Sequence, residues 1–229
     1  MTRPARLLHV LLPGAVALSL AQPAWALGFK EARIYIEFNS SANDLGFHVS
    51  LDAEDWESLR IEDPTGTTNF EVESKGGYTD LGLTELFFEG AEPPLDEFPL
   101  ADLLARFPEG KYEFIGVTVG GEELMSMATL THAVPAGPVV SAEVGDDTVI
   151  IRWDAVTGPP DGFPRRKIKI AGYQIIVEDF QVTLPASSRE VTVPEEFVES
   201  LARGEHPFEV LAIDVSGNQT ITEGFFEID

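Results

Sequence analysis

Alternation of apolar and polar residues with a period of two recurs through this chain in short runs, and few folds other than a β-sheet can use it. ARIYIEFN (32–39) sets Ile34, Ile36 and Phe38 on one side, and GFHVSLD (46–52) sets Phe47, Val49 and Leu51 against His48, Ser50 and Asp52. Successive side chains of a strand point to opposite faces, so each run reads as a strand with one buried face. TVIIRW (148–153), YQIIVEDF (173–180), REVTVP (189–194), FEVLAID (208–214) and FFEI (225–228) continue the pattern. Between them lie turn signals such as Asp63-Pro64-Thr65-Gly66, Gly76-Gly77, Gly120-Gly121 and Ser216-Gly217-Asn218. Long helical periods are absent. The expected fold is all-β, built as sandwiches.

Before the first strand, Arg3 and Arg6 precede an apolar run from Leu7 to Leu20 and then Ala24-Trp25-Ala26. Residues 1–26 therefore read as a cleavable signal peptide, with an apolar run too short for a bilayer span and interrupted by Pro13 and Gly14. The expected mature protein starts at Leu27, is exported to the periplasm or the cell exterior, and has no membrane span; a short signal without cysteines suggests a bacterial source. The signal segment holds two of the 15 basic residues and none of the 39 acidic ones, so a formal charge of −24 becomes about −26 without it. Such a field repels nucleic acid and anionic membranes and favours cations or cationic partners. The chain has no cysteine, which excludes disulfides, thiol catalysis and cysteine-bound zinc, so burial must supply its stability.

AVPAGP (133–138) interrupts the strands with small residues and two prolines, and divides the chain into 27–135 and 136–229, each the size of one sandwich. An internal repeat supports the division. FPLADLLARFPEGKYEFIGVTVGG (98–121) and VPEEFVESLARGEHPFEVLAIDVSG (193–217) share a proline opening a short amphipathic segment, then Gly110 or Gly204, then Phe114 or Phe208, then a strand ending in a glycine turn. LDAEDW (51–56) and DPTG (63–66) read as strand end, turn and hairpin, with Trp56 as a core anchor.

In the second half, Pro138-Val139-Val140 leads in, Trp153 ends one strand and Tyr173 opens another. Leu201 and Gly204 precede FEVLAID, and Asp214-x-x-Gly217-Asn218 makes the last hairpin before Phe226. Residues 138–229 thus resemble a fibronectin type III domain. The resemblance implies that Trp153 and Tyr173 pack between two sheets, and that a tyrosine of the penultimate strand ties down the corner with its hydroxyl. Here Phe208 stands nearest that position, so the corner bond is expected to be lost or replaced. Through the repeat, the first half is expected to be a related immunoglobulin-like sandwich, giving two in tandem. The insert TGPPDGFPRRKIKIAG (157–172) is long for such a domain, and its Arg165, Arg166, Lys167 and Lys169 form a basic tip suited to an acidic partner, including the first domain.

Catalytic signals are missing. The chain has no Gly-x-Ser-x-Gly, and His48, His132 and His206 sit in separate segments without zinc-site spacing, His48 on the outward face of its strand. No catalytic residue and no cofactor is expected. Calcium is the alternative that two oxygen-rich loops allow, through Asn39, Asn43 and Asp44 in one and Asp146 and Asp147 in another. TELFFEGAEPPLDEFPL (84–100) gathers Glu85, Glu89, Glu92, Asp96 and Glu97, and a small hydrolase would use a pair of these across a cleft. Gly90 and Pro93-Pro94 break any helix there, so the acids read as the wet side of a strand or connection. The expectation is a secreted, non-enzymatic protein acting by surface binding on another protein or cell-envelope component. The alternatives are a calcium-dependent or carbohydrate-binding accessory module, the latter needing exposed aromatics such as Tyr78, Tyr112 or Phe163.

Overall fold

A computed structural model describes residues 27–145 and 148–228. The expected signal peptide, 1–26, and the calcium candidates Asp146 and Asp147 lie outside the described residues. Among the described residues, no helix is long and apolar enough to cross a membrane.

The fold is all-β with sandwich-like sheets. The first half contains β1 (Glu31–Asn39), β2 (Asp44–Glu62), β3 (Thr68–Glu73), β4 (Leu83–Glu89), β5 (Gly110–Thr118) and β6 (Glu123–Leu130), with short helices α1 (Tyr78–Leu81) and α2 (Leu100–Arg106). The second contains β7 (Val140–Val144), β8 (Val149–Trp153), β9 (Ile170–Val177), β10 (Phe180–Pro185), β11 (Glu190–Val193), helix α3 (Glu195–Val198), β12 (Gly204–Asp214) and β13 (Gln219–Ile228).

β2 corrects one expectation. LDAEDW is no strand end, because the strand continues through it for 19 residues. Register shifts on either side of Trp56 mark an irregularity at which β2 exchanges partners, from β1 and β4 along residues 44–52 to β3 and β5 along 56–62. Such breaks in register let one strand bend from sheet to sheet. Trp56 is fully buried at this point, in a core with Ile36, Leu45, Tyr112 and Phe114. DPTG does form the expected turn, with Asp63 capping it and Gly66 at φ 80°.

In the second half, β11-β8-β7 faces β10-β9-β12-β13. Trp153 and Tyr173 lie between the layers with ring centroids 5.5 Å apart, and the Tyr173 hydroxyl accepts a hydrogen bond from Val156 N at 3.0 Å. This placement is the one the fibronectin type III resemblance implies.

The repeat proves longer than its sequence signal. α2 and α3 both start at a proline with nearly the same backbone, Pro99 at φ −55°, ψ 134° and Pro194 at φ −54°, ψ 134°. Gly110 and Gly204 both take positive φ, 145° and 128°. Two residues on, Tyr112 donates from its hydroxyl to Pro108 O at 3.1 Å, and His206 donates from Nε2 to Ala202 O at 2.7 Å, each reaching back four residues. The corner position therefore belongs to His206, two residues before Phe208, and an imidazole replaces the phenol. Nδ1 of His206 lies 3.1 Å from Glu178 Oε1.

A ring that donates to two acceptors is an imidazolium, and the bonds to Ala202 and then Glu178 hold its pKa above the ordinary histidine value. The folded state thus binds this proton more tightly than the unfolded chain. Its contribution is complete below the unfolded pKa of about 6.5 and is lost as pH rises through the higher folded value. Denaturation midpoints measured between about pH 5.5 and 8.5 should fall with pH across this window. His206→Tyr, which keeps a corner donor without a proton to lose, should flatten that part of the profile.

The halves share one sheet. β13 pairs in parallel with β1, joining Glu37, Phe38 and Asn39 to Gln219, Thr220 and Ile221, so the strands run β10-β9-β12-β13-β1-β2-β5-β6. At this seam Asn218, 1% exposed, accepts from Ile36 N at 2.8 Å and donates to Thr131 O at 2.8 Å and Ala133 O at 3.2 Å. The Thr220 hydroxyl donates to Pro135 O. Residues 133–138 are clasped here, with Val134 and Pro135 buried. A side chain on Gly137 would strike Ser40 and Thr222.

Candidate functional site

Three strands build the face most populated with chemistry. Pairing of β1, β2 and β4 sets Glu31, Asp52 and Glu85 in one row, Arg33, Ser50 and Phe87 in the next, and Tyr35, His48 and Glu89 in a third. Glu37 and Gly46 make a fourth row, which continues to Gln219 on β13. Alternation puts Phe47, Val49, Leu51, Leu86 and Phe88 on the core side, so these polar rows share the outer face. Glu85 and Glu89 are exposed there beside Phe87, itself 60% exposed, and a shallow groove runs among Glu31, Asp52, Glu85 and Phe87.

His48 departs from its expected position in water. Its side chain is only 4% exposed, because the segment after β4 folds back across β2 and lays Glu92 over the ring. Gly46 makes this possible, since an added Cβ would lie 2.5 Å from Glu92 Oε1. Tyr35 stacks on the imidazole at 5.0 Å between centroids and Phe87 flanks it at 6.1 Å. His48 Nε2 is 3.3 Å from Glu92 Oε1 and 3.8 Å from Glu37 Oε1, and Nδ1 is 3.8 Å from Glu89 Oε2. Among the described residues, buried Nδ1 has no hydrogen-bond partner.

Glu37 is fixed by the seam, for Gln219 Nε2 donates to its Oε2. Burial first, with smaller contributions from Glu92 and Glu89, raises the Glu37 pKa against the opposing effects of Gln219 and His48. Burial, Glu223 and Glu37 likewise push Glu209 up, and burial with Glu223 pushes Asp44 up. Carboxylates here have lost water without an equal supply of cations.

The other sequence candidates fall elsewhere. Asn39 Oδ1 accepts from Ser41 N and Ala42 N at 2.9 and 3.0 Å, and its Nδ2 donates to Glu223 at 2.7 Å, so its oxygen serves the β1–β2 turn. Asn43 holds that turn with φ 57°, and Asp44 opens β2. Arg166 pairs with Glu109 of the first half at 2.5 Å, which lowers the Glu109 pKa. Arg165, Lys167 and Lys169 are exposed, as are Asp96 and Glu97. The aromatic row is corrected: Tyr78 is exposed, but Tyr112 fills the first core and Phe163 closes over Phe38, centroids 4.8 Å apart. A phenol anchored at a corner and a ring inside a core cannot stack on a sugar.

Glu37 and His48 carried a readable signal, because a tight hairpin after Asn39 sets them on adjacent rows of one face. Glu92 carried none, since its position depends on how the Gly90–Pro94 arm folds.

No family model matches the chain. A stretch of 88 residues, 38% of the chain, is 31% identical to acyl-coenzyme A thioesterase 1 of Homo sapiens, and the match spans 21% of that curated relative's length. Similar solved structures include the Clostridium perfringens spore cortex lytic enzyme SleM, with TM-score 0.34 and 16% identity over 41% of this chain and 28% of that one. The central fibronectin-III array of RIM-binding protein has TM-score 0.32 and 12% identity over 91% and 65%. The fibronectin(III)-like modules of Clostridium thermocellum CbhA have TM-score 0.28 and 10% identity over 86% and 94%. At this level of likeness, function has to be read from the site.

Proposed function

We propose that the chain is an exported, non-enzymatic binding protein of two fused β-sandwich domains, 27–135 and 136–229, that docks a cationic surface of a protein or cell-envelope component on the outer face of β4, β2 and β1. One observation carries this reading: a three-strand face presents Glu31, Asp52, Glu85 and Glu89 around the exposed ring of Phe87. An aromatic anchor ringed by one sign of charge suits recognition of the opposite sign. The shared sheet and the Asn218 seam support a scaffold role by fixing this face relative to the second domain.

The test is affinity capture from a native envelope fraction, followed by measured binding of the purified partner to parent and variant proteins. Phe87→Ala should weaken binding, and Asp52→Lys with Glu85→Lys should abolish it. Binding should also fall with added salt, since charges are screened over roughly 8–10 Å near physiological ionic strength. A partner that binds the charge-reversed variant equally well would overturn the assignment of this face. Acyl-CoA thioesters are the first substrates to assay against the non-enzymatic reading, given the name of the curated relative; turnover that follows the purified protein would sink it.

A further inference from the structure

We propose that Glu37, His48 and Glu92 bind a divalent first-row transition cation, zinc being the probe of choice, with Glu89 as the outer partner of the histidine. The donors are His48 Nε2 and one carboxylate oxygen from each of Glu37 and Glu92, and all three atoms lie within 4.8 Å of one another. Two donors held at about 2.0–2.1 Å by a tetrahedral ion stand roughly 3.4 Å apart. The observed separations from Nε2, 3.3 Å to Glu92 and 3.8 Å to Glu37, require only small adjustments.

The buried imidazole is what distinguishes this cluster from an ordinary acidic surface. Its two nitrogens face carboxylates on opposite sides, yet among the described residues Nδ1 makes no hydrogen bond. With a cation on Nε2, the single proton of neutral histidine sits on Nδ1, where Glu89 Oε2 at 3.8 Å becomes its acceptor after a shift of under about 1 Å. Metal-bound histidines are ordinarily oriented in this way by a carboxylate on the second nitrogen.

The supports are already placed. Gln219 occupies Glu37 Oε2 and leaves Oε1 toward the ring, Tyr35 stacks on the imidazole, and Gly46 lets Glu92 lie across the strand. Arg33, on the same face, lies 5.0 Å over the Tyr35 ring and 3.6 Å from Glu31. An imidazole with two carboxylates suits zinc, manganese or iron(II), whereas calcium and magnesium prefer oxygen alone. Three protein donors leave a further coordination position for water or for a donor from a bound partner.

Calorimetric titration of the full chain with Zn²⁺, in excess Mg²⁺ to occupy surface carboxylates, should show one saturable site. His48→Gln, Glu37→Gln and Glu92→Gln should each weaken binding at least about tenfold, and Glu89→Gln by roughly 10- to 100-fold. Gly46→Val keeps every donor but displaces Glu92, and should lose affinity like Glu92→Gln. This variant and Glu92→Gln, on an exposed arm, test the site even if His48→Gln folds poorly. In ¹⁵N NMR the His48 Nε2 resonance should move on zinc addition, and in the zinc-bound form the proton should sit on Nδ1. Absence of saturable binding would overturn the proposal and leave His48 as a packed ring among carboxylates. So would zinc binding undiminished in Glu92→Gln and Gly46→Val, or Ca²⁺ binding at the same site as tightly as Zn²⁺.

Discussion

Asn218→Ala is expected to destabilise the protein by about 3–5 kcal/mol, because each buried backbone group left without its partner costs about 1–3 kcal/mol. The single amide serves Ile36 N, Thr131 O and Ala133 O, where three segments meet at the seam between the halves. Asn218→Asp should be worse than alanine, although it keeps the acceptor for Ile36. It removes both donors and sets a carboxylate against two carbonyls in a site 1% exposed, and desolvation of an unpaired charge exceeds that of a neutral group. Urea denaturation of the three proteins measures this ordering. An aspartate variant as stable as the parent would mean that the seam opens to water and that Asn218 does not hold it.

Asn218 also shows where sequence reasoning stops. Ser216-Gly217-Asn218 reads correctly as a turn, since Asp214 N and Asn218 O close it at 2.8 Å, and Gly217 supplies φ 91°. Nothing local reveals that the side chain ending this turn is a buried joint, because its partners lie 85 to 182 residues away. Strand identity was legible for the opposite reason: a period of two is local, and Ile34, Ile36, Phe38 and Phe47, Val49, Leu51 all reached the core it assigned them. The fibronectin type III resemblance located Trp153 and Tyr173 between the layers, but put the corner two residues late because it sought a phenol and the chain uses an imidazole. His48 was placed on the correct face and in the wrong environment. Alternation decides which face a residue takes, while burial on that face depends on Glu92, 44 residues on, folding back over Gly46.

Phe163→Ala should cost about 3 kcal/mol, near the lower end of the range for removing a buried phenylalanine, because the ring is 9% exposed at the rim of its core. The loss should appear in the wrong half of the sequence. Phe163 belongs to the insert between β8 and β9, yet it packs with Phe38 in the first core. Amide exchange should therefore quicken in β1 and the first part of β2 more than in β8 or β9, if the first core opens as a unit. The adjacent Arg166–Glu109 pair supplies the contrast. Its guanidinium is half exposed, and exposed ion pairs contribute little, so Arg166→Ala should change stability little. If the insert only rested on the surface, the two substitutions would cost about the same. A large Phe163 effect beside a small Arg166 effect would mean that the basic tip is held by the buried Phe163 ring, with its charge answering the acidic field around it. A fragment of 27–135 alone would then lack the ring that closes its core, and it should unfold more readily than the same residues in the full chain.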